Sequence, residues 1–405
     1  MEKPQLRPVE AFPVEMSGQT MIALRDPSRI APETLIISED LLHILQYFDG
    51  RHSISDIQSI YRQQYNVHIP EEQLQQIIVD MDQRLFLESP SFRQHQQKLI
   101  QEYRNLPYRP MALAGQSYSL APEALREELK KFFVTVNGQN SAVTIPKADH
   151  VKGLILPHID IQAGGETFAL GYDLLAKTEP VDLFVILGTG HNGINNAFAC
   201  SNKDFETPLG MVKTDKDFLE KLQSELMDDI YAEEILHKSE HTIEFQTVFL
   251  QYLFGNRPDW EIVPILCSFN TFMLENGAWG NKIRKFIQAL KKTMKISQKK
   301  ICVLASADLA HIGRRYGDQF NPDEAYLNSI KAKDIESLQL AGKMNTSGFL
   351  DSIRQDEDER RVCGFPPIYT MLETINAKQS HLLHYNQVAV DNQNSTVSFA
   401  SMVFF

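Results

Sequence analysis

A chain of 405 residues with a net charge of -12, four cysteines and an ordinary balance of 43% hydrophobic and 23% charged residues excludes several classes at once. The acidic balance argues against a nucleic-acid backbone as main partner. No apolar run reaches membrane-spanning length, the amino terminus lacks the apolar stretch of a signal peptide, and Cys200, Cys267, Cys302 and Cys363 are too few and scattered for a disulfide framework. These readings predict a soluble, cytoplasmic protein with no membrane and no nucleic-acid partner.

Residues 1–105 read as an accessory module. Ile37 to Gly50 predicts a helix with a serine cap, an acidic first turn and a closing glycine; Ser53 to Tyr61 starts a second, and Pro70 to Met81 a third with proline in its first turn. Leu85 to Glu88 reads as a short strand. Three short helices and a strand suggest a small winged-helix-like module. The pattern Asp49-Gly50-x-x-Ser53-Ile54-x-x-Ile57 resembles PqqD-like peptide-binding modules, which implies a peptide added as a strand to a sheet edge. The alternative is an accessory domain that only packs on its neighbour. His43, His52, His68 and His95 read as surface or boundary residues. Residues 89–110 suit a solvated connecting helix ending near Pro107 and Pro110.

From residue 106 to 405 helices and strands alternate, which predicts one large α/β domain with a central mixed sheet and flanking helices. Leu120 to Phe133 is an amphipathic helix. A strand runs to His158, followed by a glycine-rich turn and a helix, and a second strand runs to Gly188. Helices are expected over 215–227 and 241–254, a strand over 261–267, a helix over 279–295 and a strand to Ser306. Helices over 322–340 and 366–376 follow, then strands from His381 to Val390 and from Thr396 to Phe404.

Three of these strands deliver a histidine at or beyond the carboxyl end: His158, His191 and His311. Ligands bind there in open α/β sheets, so the three predict one convergent metal or catalytic site. Gly188-Thr189-Gly190 lacks the rest of a phosphate loop, which argues against a nucleotide. Asp308 and His311 are three apart, and a short helical turn would place the carboxylate beside the histidine. Glu240-His241-Thr242-Ile243-Glu244 opens a helix for which Ser239 offers a cap, with acidic groups near its positive end; capping alone also explains Glu240, and the trio Glu240, His241 and Glu244 is expected to line the pocket. It is not the HExxH of a zinc protease. Cys363 follows Arg360-Arg361 and precedes a helix, two features that favour a thiolate.

Taken together, Ala114-Gly115-Gln116-Ser117-Tyr118, Pro157-His158, Ile186-Leu187-Gly188 to His191, Glu206-Thr207-Pro208-Leu209-Gly210, Glu240 to Glu244, Ser306 to Gly313, Cys363-Gly364 and Ser395 to Ala400 occur in the order of the Memo family. The chain resembles that family from about residue 111 to 405, and as a whole resembles protein B of the AmmeMemoRadiSam system. The family is similar in fold to the class III extradiol (LigB-like) dioxygenases. The resemblance implies His158, His191 and Cys363 as metal ligands, His311 in the place of the catalytic histidine, and Asp308 beside it. It implies Fe(II), with copper or zinc as alternatives, since two imidazoles and a thiolate suit these ions. The loops depart from the family pattern: Pro157-His158-Ile159-Asp160-Ile161 stands for Pro-His-Ala-Gly-Tyr, adding Asp160 as an extra ligand or orienter, and Thr189-Gly190-His191-Asn192 stands for Pro-Ser-His-His. The expected function is a metal-dependent redox enzyme acting on a small molecule or peptide, with a radical-SAM partner docked through the first module. A metal-assisted hydrolase and a non-catalytic scaffold or metal chaperone are the alternatives.

Overall fold

Serine side chains begin three of the four helices of the first unit, Met1–Leu106, in the computed structural model, which describes residues 1–16, 18–28, 30–138, 150–193 and 195–405. The unit opens with strands β1 (Glu10–Met16), β2 (Gln19–Arg25) and β3 (Leu35–Ile37), paired antiparallel in that order. Helices α1 (Glu39–Leu45), α2 (Ile54–Tyr65), α3 (Glu71–Gln83) and α4 (Pro90–Asn105) follow. Ser38, Ser53 and Ser89 accept main-chain N–H bonds from the first turns of α1, α2 and α4, and Ser53 forms a capping box with Asp56. Leu24, Leu45, Phe48, Ile57, Leu74 and Phe86 fill the core. A buried Arg7 bonds Asp26 at 3.1 Å and the Leu85 carbonyl at 2.7 Å.

The sheet of this unit is not legible in the sequence. β1 is almost wholly exposed, so it carries no apolar alternation, and Pro13 argues against a strand unless the strand is an edge, which β1 is. The strand expected over Leu85–Glu88 is reduced to an isolated bridge between Leu87 and Leu6. Leu85 takes a positive φ of 65° there, which interrupts extended backbone.

The second unit is Pro107–Phe405. In chain order it contains β4 (Tyr108–Arg109), α5 (Pro122–Gly138), β5 (Gly153–Leu156), α6 (Ile161–Ala176), β6 (Leu183–Thr189), β7 (Phe198–Cys200), β8 (Asp204–Thr207), β9 (Gly210–Val212), α7 (Lys216–Ser224) and α8 (His241–Phe254). It continues with β10 (Glu261–Cys267), α9 (Thr271–Glu275), α10 (Gly277–Ile296), β11 (Ile301–Ser306), β12 (Asp308–Ile312), α11 (Glu324–Gly342), α12 (Thr346–Arg354), α13 (Phe365–Thr374), β13 (Ser380–Ala389) and β14 (Thr396–Phe404).

The large sheet is mixed, as its sequence predicts. Its centre is parallel, in the order β5-β11-β6-β10. β14 runs antiparallel beside β5 and carries β12 and β13, and β7 closes the other side antiparallel to β10. β4, β8 and β9 form a separate small sheet.

Helices cover both faces, so the central strands are apolar throughout rather than alternating. Leu183, Val185 and Leu187 of β6 enter the core shared with α7, α10, α12 and α13. Phe184 and Ile186 enter the core shared with α5, α6 and α8. Among the described residues no helix is long and apolar enough to cross a membrane.

The carboxyl ends of the parallel strands meet at one edge of this sheet. β11 lies between the two strands that lead to His158 and His191: Ser306 is registered against Leu156 on one side and Gly188 on the other. That register places His158, His191 and the residues after Ser306 at neighbouring positions.

Candidate metal centre

His158, two residues beyond β5, is 2% exposed. Its Nδ1–H donates to the Ser306 carbonyl at 2.9 Å and its main-chain N–H donates to Asp308 Oδ1 at 2.9 Å. An acceptor at Nδ1 fixes the tautomer and leaves Nε2 as the unprotonated nitrogen. Cys363 Sγ lies 3.2 Å and Asp308 Oδ2 3.6 Å from that Nε2. Burial, reinforced by His191 and His241, holds the His158 imidazole neutral, well below its ordinary range.

Glu240 organises the other side. It caps α8, its carboxylate accepting from the N–H groups of His241 and Thr242. The same carboxylate accepts from the His191 main-chain N–H at 2.9 Å and from His191 Nδ1 at 3.1 Å. His241 Nδ1 lies 3.0 Å from Glu240 Oε1. One carboxylate thus lies against the Nδ1 atoms of two imidazoles. Burial pushes the Glu240 carboxyl up, but the charges and hydrogen bonds of His191 and His241 outweigh it and hold the group ionised, well below the usual carboxylate range.

The result is a group of three. One ligand atom each of His158, His191 and His241 lies within 4.8 Å of the other two. The His191 and His241 rings stack at 4.9 Å, and His158 meets both edge-on at 5.1 and 5.4 Å. Hydrogen-bonded second ring nitrogens on converging histidines are the arrangement of metal-ligating imidazoles. The donor set of neutral nitrogens with one adjacent thiol fits a transition-metal ion.

The sequence reading underrates His241, assigned to the pocket wall, and misses Ser306 and Gln246. Ser306 Oγ donates to the Thr242 carbonyl at 2.6 Å and accepts from Gln246 Nε2 at 2.7 Å, while Gln246 Nε2 also reaches the Pro157 carbonyl at 2.8 Å. These bonds lock α8 to the ends of β5 and β11. Gln246 sits on the buried face of a helix, a placement that an apolar pattern does not flag.

Five expectations are corrected. Asp308 and His311 do not share a helical turn: both lie in β12, whose pairing to β14 shifts register between them. Asp308 serves His158 instead, and His311 Nδ1–H donates to the Leu309 carbonyl at 3.1 Å with its ring edge-on to Tyr316. Glu244 turns away from the histidines and is buried against Arg109, Tyr118 and the N–H groups of Ala112 and Leu113. Glu240, not Ser239, is the helix cap. The arginines before Cys363 do not lower its thiol: Arg360 is committed to Asp334 and Asp356, and Arg361 to Asp318, while burial pushes the thiol up. Asp160 is exposed and caps α6 through the Gln162 N–H at 3.0 Å, outside the group of three.

Burial raises the Asp308 carboxyl to about 7, against the main-chain N–H bonds of His158 and Ile159. A carboxyl raised above its unfolded value favours the fold at low pH and costs stability as pH climbs from about 4 through about 7, by roughly 4 kcal/mol at most. Asp308→Asn is therefore expected to raise the melting temperature of the metal-free protein at pH 8 and to leave it nearly unchanged at pH 4; calorimetry at the two pH values checks this. Gly188 is a second sensitive point. A Cβ there would overlap Thr242 Oγ1 and come within 2.8 Å of Ile243 Cγ1, in the first turn of α8. Gly188→Ala is expected to destabilise by about 1–3 kcal/mol in a denaturant melt.

Residues 109–403, most of the second unit, match the family model of Memo-like proteins. The chain belongs to the Memo family. A MEMO1 family protein of Aquifex aeolicus is 27% identical over 406 residues, spanning 100% of both chains. One from Saccharolobus solfataricus is 31% identical over 68% of this chain and 88% of its own. One from Methanosarcina barkeri is 28% identical over 73% of this chain and 99% of its own. The Aquifex relative thus aligns through the first unit as well, whereas almost all of the Methanosarcina relative is used by about three quarters of this chain.

Proposed function

We propose that this Memo protein is a metal-dependent redox enzyme. His158, His191 and Cys363 hold the ion, and His241 joins them from the amino end of α8. The observation that carries the reading is the convergence of three imidazoles whose Nδ1 atoms each lie within about 3 Å of an oxygen of Ser306 or Glu240. Iron(II) is the first assignment, with copper as the alternative redox ion; zinc fits the same nitrogen and sulfur donors but brings no redox chemistry. An iron or copper ion bound there supplies one-electron redox chemistry that the side chains lack.

The chain's own residues do the rest. Glu240 keeps two imidazoles oriented and compensates positive charge. Asp308, whose Oδ2 lies 3.6 Å from His158 Nε2, is placed to take or give a proton at the centre. His311, pushed down to about 4 by burial, is neutral and offers a proton acceptor to a small-molecule or peptide substrate. The first unit, whose β1 is an edge strand, is assigned to docking a peptide or a radical-SAM partner.

Elemental analysis of protein purified without oxygen tests the reading. Near-stoichiometric iron or copper is expected. Zinc as the only bound metal would favour the hydrolase, and protein that holds and takes up no metal would leave the scaffold.

A further inference from the structure

Arg109 is a fully buried guanidinium bonded to the main chain that leads into α8. Arg109 ends β4, which pairs with β8, and its guanidinium lies 5.4 Å from the centre of the Phe205 ring. Its Nε–H donates to the His237 carbonyl at 2.9 Å, and one Nη2–H donates to the Glu240 carbonyl at 2.9 Å. Nη1 donates to Glu244. Glu244 is in turn saturated by the Ala112 and Leu113 N–H groups and the Tyr118 hydroxyl.

The main chain that Arg109 grips is the one that carries the organising carboxylate. Glu240 is the residue whose side chain accepts from both His191 and His241. Residues 237–240 form the turn that leads into α8, and two donors of one planar group hold the carbonyls at its two ends while the third holds Glu244 within the helix. A planar fork suits three acceptors in fixed directions, which a lysine ammonium cannot span.

We propose that Arg109 is a positioning residue for the metal centre, setting the Glu240 main chain so that one carboxylate orients two ligand histidines. This rests on the metal reading above. The ion pair with Glu244 then has a second role beyond stability: it aims the guanidinium at the two carbonyls.

The test is cobalt(II) binding by the full-length protein, followed by absorption and by chelator competition, with thermal melts alongside. Arg109→Lys keeps the buried charge pair but loses the fork. The double variant Arg109→Met/Glu244→Gln removes the clamp without leaving a lone buried charge. Tyr118→Phe weakens the same network one contact further out and serves as the stability control. Both Arg109 variants are expected to bind cobalt about tenfold or more weakly, with an altered absorption spectrum, while Tyr118→Phe melts lower but binds within a factor of two of wild type. Arg109→Lys carries the test if the double variant does not fold. Wild-type affinity and spectrum in a folded Arg109 variant would overturn the proposal. So would a loss of affinity in Tyr118→Phe equal to that in Arg109→Lys. A wild-type protein that takes up no cobalt would overturn the metal reading itself, and this proposal with it.

Discussion

His241→Ala is expected to weaken metal binding as severely as His158→Ala or His191→Ala, by at least about a hundredfold in each case. A transition-metal site of four protein ligands binds with about 10–16 kcal/mol in all, so each ligand carries roughly 3 kcal/mol. The His241 ring stacks on His191 and is oriented by the same carboxylate, which gives it the standing of a ligand rather than a wall. Chelator competition on the purified variants measures this. Wild-type affinity in His241→Ala would place the ion among His158, His191 and Cys363 alone.

Glu240→Gln is expected to produce the second-largest effect, because one side chain does three jobs. It caps α8, lies against the Nδ1 atoms of two imidazoles and supplies a buried negative charge. The amide keeps an acceptor oxygen but loses the charge and cannot accept from every donor now served. Metal affinity is expected to fall about 10–100-fold, and the loss of the cap to cost about 0.5–2 kcal/mol in a thermal or denaturant melt. Its pH dependence follows in sign. The ligands bind in deprotonated form, so affinity rises with pH as Cys363, pushed up by burial, gives up its proton. Glu240, held ionised far below neutrality, contributes no inflection in that range.

The positions of His158 and His191 are legible in the sequence because they depend on local pattern. Each follows a short, continuous apolar run, the mark of a strand covered on both faces, and such strands place their carboxyl ends at the ligand edge. What the sequence hides depends on partners far along the chain. Whether Glu240 or Glu244 faces the histidines is decided by Arg109, more than 130 residues earlier, which takes Glu244 and leaves the Glu240 carboxylate to His191 and His241. Asp308 and His311 look like one turn of helix from their spacing. The pairing of β12 with residues 396–399 of β14 makes them a strand, and the irregular register gives each a different partner. The arginines beside Cys363 suggest a lowered thiol, but Asp318, Asp334 and Asp356 take their charge. In the first unit, β1 escapes notice because an exposed edge strand bearing proline has no apolar rhythm to read.

The proposed centre has His158, His191, His241 and Cys363 around one metal ion, and X-ray absorption at the metal edge of anaerobically purified protein reads that set of donors. Imidazole nitrogens are expected as the dominant inner scatterers with one sulfur, the sulfur lost in Cys363→Ser and the imidazole signal reduced in His241→Ala. An inner shell of oxygen atoms only, unchanged in both variants, would contradict it.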